Sequence, residues 1–194
     1  MLLAGGGARR MGGGDKCLRS LGGRPLLIHV MESMAPQVEE LILNANGDGG
    51  RFEPFGLAVV SDSFPCLAGP LAGILAGMEW LQVHRPGVDL MVSVPADGPF
   101  VPGDLVSRLL AGKGAARIAC ARSGGRGHPP IALWDVALAE DLRRAMEDEE
   151  MRKIDRWTAR YSILHVDWPN EPFDPFFNVN CPEDLTRAET LLAL

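Results

Sequence analysis

Short apolar runs alternate along this chain with longer segments whose apolar residues recur at helical spacing. The short runs are rich in Leu, Ile and Val, as buried strands are, and lie at residues 2–4, 39–44, 57–62, 90–94 and 117–121. Helical spacing predicts helices at residues 25–34, 70–81, 102–110 and 134–146. Strands that alternate with helices predict a mostly parallel α/β sheet with right-handed crossovers and helices on both faces.

The last third of the chain follows this pattern less regularly. Extended segments at 128–133 and 163–166 are separated by helical residues, including a short helix near 151–159, and allow an antiparallel strand at the edge of the sheet. A last helix begins near Pro182, because proline suits the first turn of a helix. With 194 residues the chain is long enough for one well-buried domain and short for two, so we expect a single Rossmann-like domain over 1–194.

Polar residues stand at the ends of several predicted strands. Asn44 and Asp62 end predicted strands, Asp97 comes shortly after one, and a glycine-rich loop follows the first strand. In parallel α/β sheets, ligands bind beyond the carboxyl ends of the strands. These separate stretches therefore indicate one shared crevice.

The glycine-rich loop, residues 5–16, combines six glycines with Arg9, Arg10 and Lys16. Glycines allow backbone N–H groups to face an anion, and the cations add charge-assisted hydrogen bonds, so the loop suits a polyphosphate. A P-loop would need Ser or Thr after the lysine, where this chain has Cys17. The dinucleotide fingerprint would need a third glycine where Arg10 stands. The alternative is a glycine-rich surface turn that binds nothing.

The composition narrows the class of protein. Hydrophobic residues make up 46% and charged residues 23% of the chain, which is typical of globular proteins. The net charge of −6 argues against nucleic acid as the main partner, and no apolar run is long enough to cross a membrane. We expect a cytoplasmic protein. Residues 1–31 nevertheless carry five cations against one acid, as a site for a small anionic ligand would.

Cysteine and histidine residues indicate no metal site. The four cysteines are far apart without a Cys-x-x-Cys pair, and the four histidines lack metal-ligand spacing. We interpret the cysteines as reduced thiols. Cys17, beside Lys16, is either a packed side chain or a thiol with a lowered pKa.

The start of the chain matches the nucleotidyltransferase signature Leu-Ala-Gly-Gly-x-x-x-Arg-Met-Gly-x-x-x-Lys. The matching residues are Leu3, Ala4, Gly5, Gly6, Arg10, Met11, Gly12 and Lys16. Three later phrases agree with one branch of that superfamily: Gly69-Pro70-Leu71-Ala72-Gly73, His128-Pro129-Pro130 and Phe177-Asn178-Val179-Asn180. Over nearly its full length the chain thus resembles the MobA family of molybdenum cofactor guanylyltransferases, which implies the fold of nucleotide-diphospho-sugar transferases.

The resemblance also implies a reaction and a set of site residues. GMP would pass from GTP to molybdenum-molybdopterin, releasing pyrophosphate, with Mg²⁺ as cofactor. The implied catalytic residues are Arg10, Lys16 and Asp97, with Asp97 also binding the metal. The implied nucleotide-binding residues are Leu3, Ala4, Gly5, Gly6, Lys16, Asn44, Asp62 and Asp97, and Asn178 and Asn180 would face the pterin substrate or the metal. Transient contact with cofactor-delivery proteins or molybdoenzymes is compatible with this role.

Other readings of these residues stay open at this point. Asp97 before Gly98 is also a frequent turn pair, and Asn44 and Asp62 also suit strand-end caps. The opening signature is shared with cytidylyltransferases acting on the same cofactor and with sugar-phosphate nucleotidyltransferases. A non-catalytic nucleotide-binding or cofactor-chaperone protein and a flavodoxin-like redox domain are the alternatives from other classes.

Overall fold

The computed structural model describes residues 1–5, 14–64 and 69–193. The strands in these ranges are β1 Leu2–Leu3, β2 Ser20–Leu21, β3 Arg24–Pro25, β4 Ile42–Asn44, β5 Ala58–Val60, β6 Leu90–Pro95, β7 Ile118–Ser123, β8 Arg126–Asp135 and β9 Ile163–Trp168. The α-helices are α1 Leu26–Met34, α2 Pro70–His84, α3 Leu105–Lys113, α4 Ala139–Asp148, α5 Ile154–Thr158 and α6 Pro182–Leu192.

Seven of the described strands form one sheet in the order β5-β4-β1-β6-β8-β7-β9. The pairs β5–β4, β4–β1, β1–β6 and β7–β9 are parallel, whereas β8 runs antiparallel to both of its neighbours. Strands β2 and β3 pair separately as a small antiparallel ribbon. The mostly parallel sheet predicted from the sequence is therefore confirmed.

Strand β1 is only two residues long, yet it lies in the interior of the sheet. Leu2 is fully buried. Beyond the strand, the Ala4 N–H donates to the Asn44 carbonyl oxygen at 2.8 Å, and the Ala96 N–H donates to the Leu3 carbonyl oxygen at 3.0 Å. The chain thus enters the glycine-rich loop between the carboxyl ends of β4 and β6.

Helices cover both faces of the sheet, as predicted. One hydrophobic core contains side chains of α2, α4 and α5, and a second contains side chains of α1 and α3. The apolar stripe expected on α2 is buried in the first core and consists of Leu71, Ile74, Leu75, Met78 and Leu81. No helix within the described ranges combines the length and hydropathy needed to span a bilayer.

The antiparallel strand lies inside the sheet and not at its edge, where the sequence allowed it. Gly124 and Gly125, with φ of 53° and 77°, form the turn that folds β8 back along β7. Residues 131–134 of β8 are all buried, which an edge strand would not require. This strand also includes Trp134, so the helix predicted from that residue begins at Ala139.

Two other predicted boundaries shift in the same way. The helix expected from Pro102 begins at Leu105, and the strand expected over 39–44 is reduced to Ile42–Asn44. Apolar periodicity identifies an element better than it identifies its ends, because terminal residues depend on local hydrogen bonds.

The Ser93 hydroxyl joins β6 to β8 in the core. Ser93 is fully buried; its Oγ donates to the Pro130 carbonyl oxygen at 2.8 Å and accepts from Trp134 Nε1 at 2.8 Å. A polar residue in an otherwise apolar strand is thereby satisfied.

We predict that Ser93→Ala lowers the free energy of unfolding by about 1–3 kcal/mol, because it leaves the buried indole N–H without its acceptor. Urea denaturation followed by circular dichroism measures this. Ser107→Ala is the control: its Oγ donates to the Asp104 carbonyl oxygen on an exposed turn, and we expect a change within about 0.5 kcal/mol. Equal stability of wild type and Ser93→Ala would contradict the prediction.

Candidate active site

Three side chains from distant parts of the chain meet at the carboxyl end of β6. Lys16 begins a short 3₁₀ helix after the glycine-rich loop, Asp97 follows β6, and Asn180 precedes α6. Lys16 Nζ donates to Asn180 Oδ1 at 2.8 Å and lies 3.5 Å from Asp97 Oδ2. The fold therefore assembles one cation, one carboxylate and one amide where the sequence predicted a site.

The Asp97 carboxylate lies in an environment that disfavours its ionised form. Burial raises its pKa above the ordinary aspartate value, and the Lys16 ammonium acts against this by favouring the charged form. Only 17% of the Asp97 side chain is exposed. Among the described residues Lys16 is the cation paired with this buried carboxylate, and the raised pKa shows that the site favours further positive charge.

The segment that carries Asn178 and Asn180 is attached to the same strand end. The Val179 N–H donates to the Asp97 carbonyl oxygen at 2.9 Å. On the other side, the Asn180 N–H donates to Asp184 Oδ2 at 2.8 Å, which ties the segment to the first turn of α6. The two asparagines, which flank Val179, are thus positioned by hydrogen bonds from the backbone N–H groups of Val179 and Asn180.

Hydrogen bonds of Asp174 fix the beginning of this segment, and they connect it to His128. Asp174 Oδ1 accepts from Ser123 Oγ at 2.8 Å and from the Phe176 N–H at 2.9 Å. Ser123 Oγ lies 2.7 Å from His128 Nε2, and burial lowers the pKa of His128. His128 therefore supports the anchor of the tail from the β7–β8 hairpin.

Asn178 carries a buried polar atom with no hydrogen-bond partner. Its Oδ1 is the one such atom found in the described part of the chain. A Cβ added at Gly98 would lie 2.9 Å from this oxygen, so a larger residue there would displace the Asn178 side chain. An unpaired buried oxygen costs free energy unless a water, an ion or a ligand binds it, so this atom is a candidate ligand-binding group.

The donor set at this point suits a hard divalent cation. Asp97 offers carboxylate oxygen and Asn178 offers amide oxygen, the ligand atoms preferred by Mg²⁺ and similar ions. Within residues 1–5, 14–64 and 69–193, no cluster of three or more His, Cys, Asp or Glu could hold a metal. Few protein ligands are typical of Mg²⁺ sites that are completed by substrate phosphates and water.

Asn44 and Asp62 are bonded to each other at the ends of β4 and β5. Asn44 is buried and its Nδ2 donates to Asp62 Oδ1 at 2.8 Å and to the Val60 carbonyl oxygen at 3.1 Å. Asp62 Oδ2 accepts from Asn46 Nδ2 at 2.7 Å. The two residues predicted from strand ends therefore form one hydrogen-bonded polar cluster, with Asn46 as a third member.

Two glycines lie beside the Asn44 amide. A Cβ at Gly73 in α2 would lie 2.2 Å from Asn44 Oδ1, too close to fit without a shift, and a Cβ at Gly5 would lie 3.7 Å from the same atom, an ordinary contact. Strand β1 lies between β4 and β6, so the backbone that follows it lies between this cluster and Asp97. Gly6 and Arg10, also predicted as site residues, lie outside the described residues.

Sequence reasoning missed the residues that link the two clusters. Asn46 stands two positions after Asn44 in the same loop, a spacing that was available as a signal. Arg51 binds Asp15, next to Lys16, across 36 positions of sequence. Nothing in the pattern of either segment indicates that pairing.

Cys17 is packed and is not activated. It is buried in the core on the α1 and α3 side of the sheet. Burial, with further contributions from Asp15 and Asp97, raises the pKa of its thiol to about 12. The alternative of a reactive thiol with a lowered pKa is therefore wrong.

Taken together, the sheet, the glycine-rich loop and the two polar clusters define an α/β protein of the nucleotide-binding type. The MobA-like NTP transferase domain matches residues 1–162. The chain is 57% identical over 196 residues to the molybdenum cofactor guanylyltransferase of Bradyrhizobium sp. (strain ORS 278), covering 100% of this chain and 92% of that protein. This chain belongs to the MobA-like NTP transferase family, and is a nucleotidyltransferase by that membership.

Solved structures agree on the fold. Molybdopterin-guanine dinucleotide biosynthesis protein A from Archaeoglobus fulgidus superposes with a TM-score of 0.77 at 24% identity, covering 99% of this chain and 97% of that one. A Mycobacterium tuberculosis protein solved in complex with manganese superposes with a TM-score of 0.70 at 19% identity, covering 97% and 96%. The resemblance and the fold class inferred from the sequence are confirmed.

We predict that Asp97→Asn raises the melting temperature at neutral pH. The pKa of Asp97 is higher in the folded than in the unfolded chain, so ionisation above that pKa reduces stability. Asparagine keeps the shape without the charge. Differential scanning calorimetry in EDTA should show the variant melting above wild type at pH 7, with the gap closing as pH falls below the ordinary aspartate pKa. A variant that melts at or below the wild-type temperature at pH 7 would refute this.

We also predict that Gly73→Ala weakens GTP binding by about tenfold or more, because the new methyl displaces Asn44 and Leu3. Gly77→Ala, one turn later in α2, meets only the flexible side chains of Met1 and Met91 and serves as the matched control. It should alter stability and leave GTP affinity within about twofold. Isothermal titration calorimetry compares the two; equal losses of affinity would exclude the Asn44 cluster as the cause.

Proposed function

We propose that this protein transfers GMP from GTP to molybdenum-molybdopterin, forming molybdopterin guanine dinucleotide and pyrophosphate. The observation that carries the proposal is the convergence of Lys16, Asp97 and Asn180 beside a glycine-rich loop. The guanylyltransferase name of a relative 57% identical over the whole chain supports the same reaction. We further propose a single domain over 1–194 acting in the cytoplasm, where free thiols such as Cys17 and Cys120 stay reduced.

The proposed chemistry is one in-line displacement. An oxygen of the terminal phosphate of molybdopterin attacks the α-phosphorus of GTP, a new P–O bond forms, and the bond from the α-phosphorus to the bridging oxygen breaks. The electron pair leaves with pyrophosphate. The attacking phosphate is already ionised, so the protein needs to supply position and charge neutralisation rather than a strong base.

The cations of the glycine-rich loop have the role of binding phosphate in this proposal. Lys16, 19% exposed at its side chain, neutralises charge on the triphosphate and then on the departing pyrophosphate. Arg10 is proposed to share this role from the part of the loop outside the described residues. Backbone N–H groups of a glycine-rich loop add anion-binding capacity without Cβ interference.

Mg²⁺ is the proposed metal, with Asp97 and Asn178 Oδ1 as its protein ligands. The unpartnered oxygen of Asn178 and the buried carboxylate of Asp97 support this assignment. The manganese complex of the M. tuberculosis neighbour is consistent with a divalent ion in proteins of this fold. When bound, the ion would offset phosphate charge that Lys16 alone does not balance.

Asn44 and Asp62 are proposed to bind the guanine nucleoside. Both oxygens of Asp62 are held by asparagine amides, and each keeps a lone pair for a ribose hydroxyl or a base N–H.

Asn180, whose side chain is exposed, is then proposed to face the pterin substrate, while Asn178 faces the metal. Cofactor-delivery proteins or molybdoenzymes are proposed as transient partners that receive the product.

The direct test is turnover with molybdenum-loaded molybdopterin and Mg²⁺, following pyrophosphate release with GTP or CTP. We expect GTP to be used at least about 100-fold more efficiently, because a pocket of fixed donors and acceptors rejects the wrong base. Asp97→Asn should lower kcat by about 10²- to 10³-fold, as loss of a preorganised charge does.

Three results would contradict this assignment. Preference for CTP would indicate a cytidylyltransferase. GTP binding without pyrophosphate release would indicate a nucleotide-binding protein that is not an enzyme. Full activity of Asp97→Asn would remove Asp97 from the metal site. Glu39→Gln, on the far end of the sheet, is the control and should leave kcat unchanged.

A further inference from the structure

The Asp15–Arg51 ion pair connects the two halves of the proposed nucleotide site. Arg51 Nε donates to Asp15 Oδ2 at 2.5 Å and its Nη2 donates to Asp15 Oδ1 at 3.2 Å. This is a bidentate pair, in which two parallel hydrogen bonds fix the orientation of the guanidinium and the carboxylate relative to each other. Because Asp15 directly precedes Lys16, the pair restrains the phosphate-binding end of the site.

Arg51 is also attached to the loop that follows β4. Its Nη2 donates to the Asn46 carbonyl oxygen at 2.8 Å and its Nη1 donates to the Asp48 carbonyl oxygen. The guanidinium lies over the ring of Phe52, 4.5 Å from the centroid, and Phe52 is fully buried. The arginine is therefore fixed to the core and to the base-binding loop at once.

The contacts continue from this loop into the Asn44 cluster. Asn46 bonds Asp62 twice, by Nδ2 to Oδ2 at 2.7 Å and by its Oδ1 accepting from the Asp62 N–H at 2.9 Å. Asp62 in turn holds Asn44. One unbroken path of hydrogen bonds and chain thus runs from Lys16 to Asn44.

Folding stability is one role of this ion pair, in which the Arg51 and Asp15 side chains are 29% and 19% exposed. Water partly screens the pair, while its bidentate geometry makes it stronger than an ordinary surface pair. A pair that also sets the distance between two binding subsites matters in addition for a ligand that spans both.

We propose that Arg51 is a positioning residue that, through Asp15, holds the phosphate-binding and base-binding halves of the site in register for a nucleoside triphosphate. The inference rests on the proposed function only in taking GTP as the ligand that spans both halves. In this role Arg51 acts through Asp15 and the Asn46 carbonyl group, its hydrogen-bond partners, and not by direct contact with the ligand. Without Arg51, each subsite should still bind its own fragment of the nucleotide. The extra affinity that GTP gains because both fragments are joined in one molecule should be reduced.

The experiment compares GTP with its two fragments. Equilibrium dialysis of labelled GTP with Mg²⁺ gives its Kd, and unlabelled guanosine and inorganic triphosphate as competitors give their inhibition constants. We expect Arg51→Met to raise the Kd of GTP about tenfold and to change both inhibition constants by less than about twofold. Arg51→Lys keeps the positive charge but cannot form the bidentate pair with Asp15, so it should behave like Arg51→Met.

The chain offers a matched control in Arg85. Its Nε and Nη2 bind Glu40 at 2.7 and 3.2 Å, so the pair has nearly the same geometry in a place remote from the site. Arg85→Met should leave all three constants unchanged. Asp15→Asn breaks the pair from the other side and should repeat the Arg51→Met pattern, which keeps the test valid should Arg51→Met fold poorly.

Each remaining outcome overturns the inference in a distinct way. A rise in the inhibition constant of triphosphate parallel to that of GTP would make Arg51 a direct phosphate ligand. A parallel rise for guanosine would place it in the base pocket. An unchanged Kd of GTP in both variants, with tight GTP binding by wild type, would refute the positioning role and leave the proposed function intact. Failure of wild type to bind GTP would refute the proposed function first.

Discussion

The burial of the Asp97 carboxylate at the carboxyl end of β6 is the constraint on which the site depends. Burial raises the pKa of Asp97, and the nearby charge of Lys16 offsets this only in part. Strand β6, which Asp97 follows, is paired on both sides, with β1 and with β8, so its carboxyl end is firmly anchored. A fixed, poorly solvated negative charge is a strong attractor for a metal ion and its phosphate ligands.

The elements around Asp97 bring the other site residues close to it. Strand β1 pairs with β6 and leads into the glycine-rich loop, and Lys16 at the end of that loop lies 3.5 Å from Asp97 Oδ2. The Val179 N–H donates to the Asp97 carbonyl oxygen. The second cluster, Asn44 with Asp62, lies at the neighbouring strand ends and is joined to the first through Arg51. The residues proposed to bind phosphate, metal, nucleoside and second substrate thereby lie at the carboxyl ends of neighbouring strands of one sheet.

The sequence predicted the parts of this site that follow from strand order. Lys16, Asn44, Asp62 and Asp97 each stand after a recognisable apolar run, and parallel strands bring their carboxyl ends to one edge. The interior position of β8 was not predictable, because a hairpin turn at Gly124-Gly125 determines pairing and not the apolar pattern of the strand itself. The Arg51–Asp15 pair and the unpartnered Asn178 oxygen depend on side-chain geometry between distant segments, for which a single sequence carries no signal.

The account is tested most directly by locating a divalent ion in the protein. Crystals grown with Mn²⁺ and GTP would reveal the ion by its anomalous scattering. We predict one strong anomalous peak within bonding distance of an Asp97 carboxylate oxygen and Asn178 Oδ1, in contact with the triphosphate, and absent from Asp97→Asn crystals. A peak elsewhere on the sheet edge, or one that persists unchanged in Asp97→Asn, would contradict the account.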